Sequence, residues 1–252
     1  MMARARSVAF ADIDHLRSRH RAEADFQIVR DSILPRGLAE PFALELDGEV
    51  VGYAGVWTEH FPGRVMEFYL VPEARSHRHD CSRALLEASG AVEIEAQTNL
   101  PLLHSVLRRF STDVRVENIL FAEPPRAEDP LSTLSSPHVH FRSRQPGDDG
   151  PPGDWVLARR DDGAIVAAGG FLQHYNPPYC DLFMEVAPEE RRRGYGSDLV
   201  RELRKASKDA GLIPAARCDA DNEASRRTLF RGGMVECGRI VAGRVDLRNL
   251  VG

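Results

Sequence analysis

The sequence predicts an α+β protein with a mixed α/β sheet, arranged as two lobes, each a mostly antiparallel sheet flanked by helices. Three observations lead there. A pattern of strand, turn and strand occurs twice, as Phe42-Ala-Leu-Glu-Leu-Asp-Gly-Glu-Val-Val-Gly-Tyr-Ala-Gly and as Trp155-Val-Leu-Ala-Arg-Arg-Asp-Asp-Gly-Ala-Ile-Val-Ala-Ala-Gly-Gly. The turn pair Asp47-Gly48 returns as Asp162-Gly163, an offset of 115, and Val71-Pro72-Glu73-Ala74-Arg75 returns as Ala187-Pro188-Glu189-Glu190-Arg191, an offset of 116. Between the copies, Glu123 to Asp154 holds seven of the sixteen prolines and reads as loop and linker.

The elements follow in order. Asp12 to Gln27 reads as a helix without a counterpart in the second half. Each half then has a hairpin, because an Asp-Gly pair supplies the left-handed conformations of a tight turn. A third strand follows, Val65 to Val71 in one half and Cys180 to Val186 in the other. A Pro-Glu turn leads into an amphipathic helix, whose second copy carries Leu199, Val200 and Leu203 at helical spacing and has Gly211 as a stop before Pro214. A short strand and a helix complete each half: Ala91 to Ala96 with Pro101 to Phe110, then Ala215 to Cys218 with Glu223 to Arg231. The division this predicts is 1–122 for the first lobe, 123–154 for linker and the first strand of the second lobe, and 155–252 for the second lobe.

Composition bounds the function. The chain has 252 residues, 42% apolar and 28% charged, in the range of folded soluble domains. A chain this long buries about 70–75% of its unfolded surface, so it needs no metal or disulfide to fold. The longest apolar stretch, around Ala164 to Leu172, is far short of the roughly 18 residues of a membrane helix. The N-terminus has no apolar signal segment. Cys81, Cys180, Cys218 and Cys237 form no CxxC pair, which points to reduced thiols and a cytoplasmic setting. A net charge of −5 gives no general attraction to nucleic acid. Neither membrane nor nucleic acid is an expected partner, and the oligomeric state is open.

The chemistry concentrates in Val186-Ala-Pro-Glu-Glu-Arg191-Arg192-Arg193-Gly194-Tyr195-Gly196-Ser197, placed between a strand and a helix. Glycines let a backbone approach a ligand closely, and amides at a helix N-terminus carry about half a positive charge toward it. With three arginines alongside, such a turn suits a pyrophosphate. A dinucleotide fingerprint would need a third glycine, which Gly194-Tyr-Gly196-Ser-Asp-Leu199 lacks, and a Walker loop would need GK[ST].

On these residues the C-terminal half resembles the GNAT superfamily of acyl-CoA-dependent N-acyltransferases. The family pattern [QR]xxGx[GA] between fourth strand and third helix is matched by Arg191 to Gly196. A second family pattern, Asn opening the fourth helix with Ser three and Gly-Phe eleven and twelve residues on, is met by Asn222, Ser225, Gly233 and Met234, with Met in place of Phe. The resemblance covers about Trp155 to Val245. It implies acetyl-CoA as co-substrate, and an amine of a small molecule or peptide as acceptor. It further implies that the amides of Arg192, Arg193, Gly194, Tyr195, Gly196 and Ser197 cradle the pyrophosphate, with Arg191 beginning the loop. Val186 and its neighbours would hydrogen-bond the pantetheine at a splayed strand end, and Asn222 would contact the same arm. Bottom-up, Asn222 is equally a helix cap.

Two further features depart from the family. The Tyr that many members place seven residues after the Asn, as acid for the thiolate, is Leu229 here; a thiol pKa of about 8.5 still lets CoA leave. In the first half the matching turn, Arg75-Ser-His77-Arg78-His79-Asp80-Cys81, has no glycine, which marks a degenerate copy; His77, His79 and Cys81 lack a second ligand pair for zinc. An amine of pKa about 10.4 costs about 4–5 kcal/mol to deprotonate at neutral pH, so a general base is required. Asp181 and Glu185, on one face of the fourth strand by parity, are the candidates, with His174 on the preceding strand in reserve. Three readings meet these residues: an N-acetyltransferase, an acyl-CoA-binding module without turnover, and a tandem enzyme like the mycothiol synthases.

Overall fold

The computed structural model describes residues 2–125 and 136–249. Of the linker expected over 123–154, residues 126–135 lie outside the described residues. The chain forms two compact units, Met1–Asn118 with Gly238–Gly252, and Ile119–Cys237. The sequence division placed 155–252 in one lobe; among the described residues β12 (Val235–Val245) instead hydrogen-bonds antiparallel, through Ile240–Arg244, to a strand of the first unit. That pairing is long-range and leaves no local mark in the sequence.

In the first unit β1 (Ala3–Ser7) pairs with β2 (Ala39–Leu46), which pairs with β3 (Glu49–Trp57) and it in turn with β4 (Arg64–Leu70). The β2–β3 hairpin turns on Asp47 at φ 50° and Gly48 at φ 90°, the conformation anticipated from the Asp-Gly pair. β5 (Glu93–Gln97) lies between β4 and β12. α1 (Phe10–Glu23), α2 (Arg78–Ser89) and α3 (Pro101–Phe110) bury Ile13, Leu16, Leu85, Leu86, Val106 and Leu107. The α1 expectation of Asp12 to Gln27 holds except at its ends. The Arg75 to Cys81 turn is helical throughout: a 3-10 turn (Pro72–His77) runs directly into α2, so no open loop precedes that helix. Within it Cys81 is fully buried, His79 packs edge-on to Phe110, and His77 faces Asp80 at 3.6 Å.

The second unit repeats this order from the first hairpin onward, with no helix in the place of α1 among the described residues. Its sheet runs β6-β11-β10-β9-β8-β7. β6 (Ser111–Ala122) enters from the first unit; β7 (Val139–Ser143), β8 (Trp155–Arg159), β9 (Ile165–Leu172) and β10 (Tyr179–Val186) form an antiparallel series; β11 (Ile213–Asp219) is parallel to β10. Between β7 and β8 the chain is pinned, since the Arg144 side chain donates to the carbonyls of Asp148, Pro151 and Gly153. α4 (Tyr195–Asp209) and α5 (Glu223–Arg231) follow β10 and β11. Alternation along β10 sends Cys180 and Leu182 into a core with Leu199, Val200 and Leu203 of α4, and leaves Asp181, Phe183 and Glu185 on the other face.

Candidate active site

The segment from β10 to α4 is built from short-range constraints. Ala187 donates to the Val166 carbonyl, and a 3-10 turn (Pro188–Glu190) brings the chain round. Arg192, at φ 65°, and Gly194, at φ 89°, then take left-handed conformations before the helix begins. Gly194 is the residue preceding α4, and no side chain caps that helix. The first helical bond is donated by Asp198 to the Gly194 carbonyl. Among the described residues, no acceptor within the chain takes the main-chain N–H groups of Arg192, Arg193, Gly194, Tyr195, Gly196 or Ser197. Six donors therefore stand at the positive end of the helix dipole.

The two glycines do different things. A side chain on Gly194 would meet open space, and what forbids one is the left-handed backbone. Gly196 instead faces inward, where a Cβ would stand 3.0 Å from Cγ2 of Thr228 and 3.4 Å from Cγ2 of Val186. The expectation that both glycines open the backbone to a ligand is thus corrected: the second one lets α4 pack on α5 and β10. Tyr195 is buried in the same core.

Arg191, Arg192, Arg193 and Gly194 are exposed. Arg191 Nε lies 3.4 Å from the Val186 carbonyl, and Arg193 pairs at 3.0 Å with Glu190. Glu190 is itself buried and also meets Arg159 at 3.1 Å, so it fixes one loop arginine to the β8–β9 hairpin. Sequence reasoning passed over Glu190; its signal was an acid immediately ahead of three arginines.

β10 and β11 are in register from Tyr179↔Ile213 to Asp181↔Ala215, whereas β10 stays paired with β9 as far as Val186↔Ala167. The parallel partner thus parts from β10 after Asp181, and its pairing does not reach Leu182–Val186. At the point of parting, Asp181 is buried and its Oδ2 lies 3.1 Å from His174 Nε2 and 3.9 Å from Arg217 Nε. His174 is two residues beyond the end of β9, in the connection to β10, rather than on the strand. Glu185 shares the face of Asp181 but is exposed.

Asn222 caps α5, accepting the Ser225 N–H at 3.0 Å. Leu229 is buried in the core, so no proton donor occupies that place. Burial raises the thiols of Cys180, to about 11, and of Cys218, which leaves neither as a ready nucleophile.

The sequence model of the acetyltransferase (GNAT) family matches residues 116–231. A search of curated proteins finds no match. Among solved structures, an acetyltransferase from the GNAT family of Colwellia psychrerythraea is 16% identical, with a TM-score of 0.72 over 96% of this chain and 100% of that one. A GCN5-related N-acetyltransferase of Sphaerobacter thermophilus is 16% identical, with a TM-score of 0.58 over 96% and 95%. A tandem GNAT protein from the clavulanic acid biosynthesis pathway is 11% identical, with a TM-score of 0.56 over 96% and 98%. At these identities the likeness is one of fold, and it extends over both units. The uncapped turn before α4, the parting of β10 from β11 and the matched sequence coincide in one stretch: residues 116–231 are an acetyltransferase domain of the GNAT family.

Proposed function

We propose that the second unit binds acetyl-CoA and passes its acetyl group directly to the amine of a small-molecule or peptide acceptor. The observation that carries this reading is the set of six unaccepted N–H groups at Arg192–Ser197 beside the exposed Arg191–Arg193 run. A pyrophosphate there would satisfy donors that the fold leaves open, each charge-assisted bond contributing about 1.5–3 kcal/mol before screening.

From that anchor an extended pantetheine arm follows the edge of β10 back toward Asp181. Val186 and its neighbours offer it main-chain groups, with Asn222 near its path. At about 3.3 Å of strand per residue, the four steps from Val186 to Leu182 carry the arm past Glu185 to where β10 and β11 converge. The thioester then lies near the Asp181–His174 pair. His174 accepts the amine proton, and Asp181 orients the ring and stabilises its charge. Glu185, exposed and farther along, relays the proton to solvent. The freed amine attacks the thioester carbonyl, the tetrahedral intermediate collapses with CoA leaving as thiolate without a side-chain acid, and the acylated nitrogen gives its second proton to water. Free thiols at all four cysteines suit a cytoplasmic setting.

Calorimetric titration with acetyl-CoA tests the binding step; no heat of binding at millimolar ligand would count against it. Thiol release across a panel of amines tests the transfer. Burial of Leu229 favours one second reading, a CoA-binding module, which predicts saturable binding with no thiol release above background.

A further inference from the structure

The first unit carries a groove of about 950 Å³ at the N-terminal ends of β4 and β5. This is the opposite end to the one that, in the second unit, leads from β10 into the turn before α4. The β3–β4 connection, the end of α2, the start of β5 and parts of β6 and β12 line it.

Its apolar surface stands in solvent. Val92 is 60% exposed and Phe61 41% exposed, and both line the groove. They are joined through Gly63, whose carbonyl accepts the Val92 N–H at 2.9 Å and on which a Cβ would stand 3.3 Å from Val92 Cγ2. Phe61 is held in its exposed place, since the Arg64 guanidinium lies 4.1 Å from its ring centroid and Trp57 packs against it edge-on at 5.8 Å. Single exposed apolar side chains are ordinary, but a joined and pre-ordered apolar surface in a concave face marks an interaction site.

The charge of the groove says what covers it. Four charged residues line it, two of each sign: Glu93, Asp113, Arg115 and Arg244. Glu93 and Arg115 pair with each other at 2.6 Å, and Arg64 and Glu117 extend that network. Asp113 and Arg244 are exposed, and among the described residues neither side chain has an ion pair or a hydrogen bond. They belong to neighbouring stretches of chain, because Gly243 packs on Ser111 and Val114, where a Cβ would stand 2.7 Å and 3.1 Å from those side chains. An occupant must therefore offer an anion and a cation side by side, next to an apolar surface. A second copy of this chain does so by construction, since in a two-fold interface the contact of one residue with another is repeated in reverse. The chain as a whole carries −5 and two copies repel, whereas the four groove residues sum to zero, so the copies approach here without that repulsion.

We infer that this face is the interface of a homodimer, in which Asp113 meets Arg244 of the partner subunit, the reverse pair forms across the two-fold axis, and the Phe61–Val92 surfaces are covered. The inference is independent of acetyl-CoA binding by the second unit.

Sedimentation equilibrium of the full chain tests it. The wild type should associate reversibly to a dimer with a Kd of about 50 μM. Asp113→Lys and Arg244→Glu should each weaken the dimer at least about tenfold, because like charges then face each other twice. Mixed in equal amounts, the two variants should regain the wild-type affinity, since every facing pair is again of opposite sign. Val92→Glu should weaken the wild-type dimer about tenfold by placing a charge in the covered surface. A wild type that stays monomeric to about 500 μM would overturn the inference. So would charge variants that dimerise as tightly as the wild type, or a mixture no tighter than its components. If a charge variant fails to fold, backbone ¹⁵N amide shifts of the wild type decide between about 500 and 20 μM. Those of Gly90 to Glu93 and Arg244 should move with concentration while those of Gly194 to Ser197 stay, and movement confined to other residues would overturn the inference.

Discussion

Gly196 and Thr228 face each other across the α4–α5 contact, so closely that a Cβ on the glycine would stand 3.0 Å from the threonine Cγ2. Gly196→Ala should therefore destabilise the chain by about 1 kcal/mol, overpacking outweighing the better helix propensity of alanine. That is a fall in Tm of about 2–4 °C for a chain of this size. Adding Thr228→Ser, which removes Cγ2, should restore the loss; a double variant no more stable than Gly196→Ala would contradict the contact. Gly194→Ala meets no atom but must adopt φ 89°, so its cost of about 1–2 kcal/mol should not respond to Thr228→Ser.

His174 and Asp181 give a kinetic prediction. If His174 takes the amine proton, His174→Gln lowers kcat about 100-fold and leaves KM for acetyl-CoA unchanged. Asp181→Asn should lower kcat less, since it removes only the charge that orients the ring. Initial rates of thiol release would show this, and an unaltered kcat in His174→Gln would return the base role to Glu185.

Asn222 has a structural share that can be separated from any ligand contact. Losing its bond to the Ser225 N–H in Asn222→Ala should cost about 1 kcal/mol. Asn222→Ser keeps a capping oxygen and should recover most of that stability. A loss of acetyl-CoA affinity that persists in Asn222→Ser, measured by calorimetry, assigns the amide to the pantetheine arm as well.

His20 sets a pH dependence in the first unit. Its folded value of about 4 lies below the ordinary 6.5, so the unfolded chain binds the proton first as pH falls. Stability from this group is complete above about 6.5, declines between 6.5 and 4, and is lost below, a total of about 3 kcal/mol. Urea unfolding midpoints of wild type and His20→Gln at pH 7.5 and pH 4 isolate it. The wild type should lose the more on acidification; parallel losses would contradict a neutral buried imidazole.

What the sequence made legible was local. The Asp47-Gly48 turn, the Pro-Glu turns, the amphipathic pattern of α4 and the Asn222 cap each depend on residues a few positions apart, and each is found in the structure, whereas the β8–β9 hairpin turns through a five-residue loop in which only Gly163 of the Asp-Gly pair is left-handed. The return of β12 to β5 was not legible, because strand pairing at long separation has no periodic signature. The roles of the two glycines could not be told apart from spacing alone, since Thr228 lies in a different helix. Glu190 was missed for a related reason: what distinguishes it is the set of partners around one carboxylate, Arg159 and Arg193.

The central claim is that the amides of Arg192 to Ser197 hold the pyrophosphate of acetyl-CoA. Backbone amide shifts of the ¹⁵N-labelled chain, followed while CoA is added, test it most directly. The account predicts that the Gly194, Tyr195, Gly196 and Ser197 amides move downfield and saturate together, and that Gly194→Ala weakens the titration. Saturating CoA that leaves these four resonances in place would contradict it.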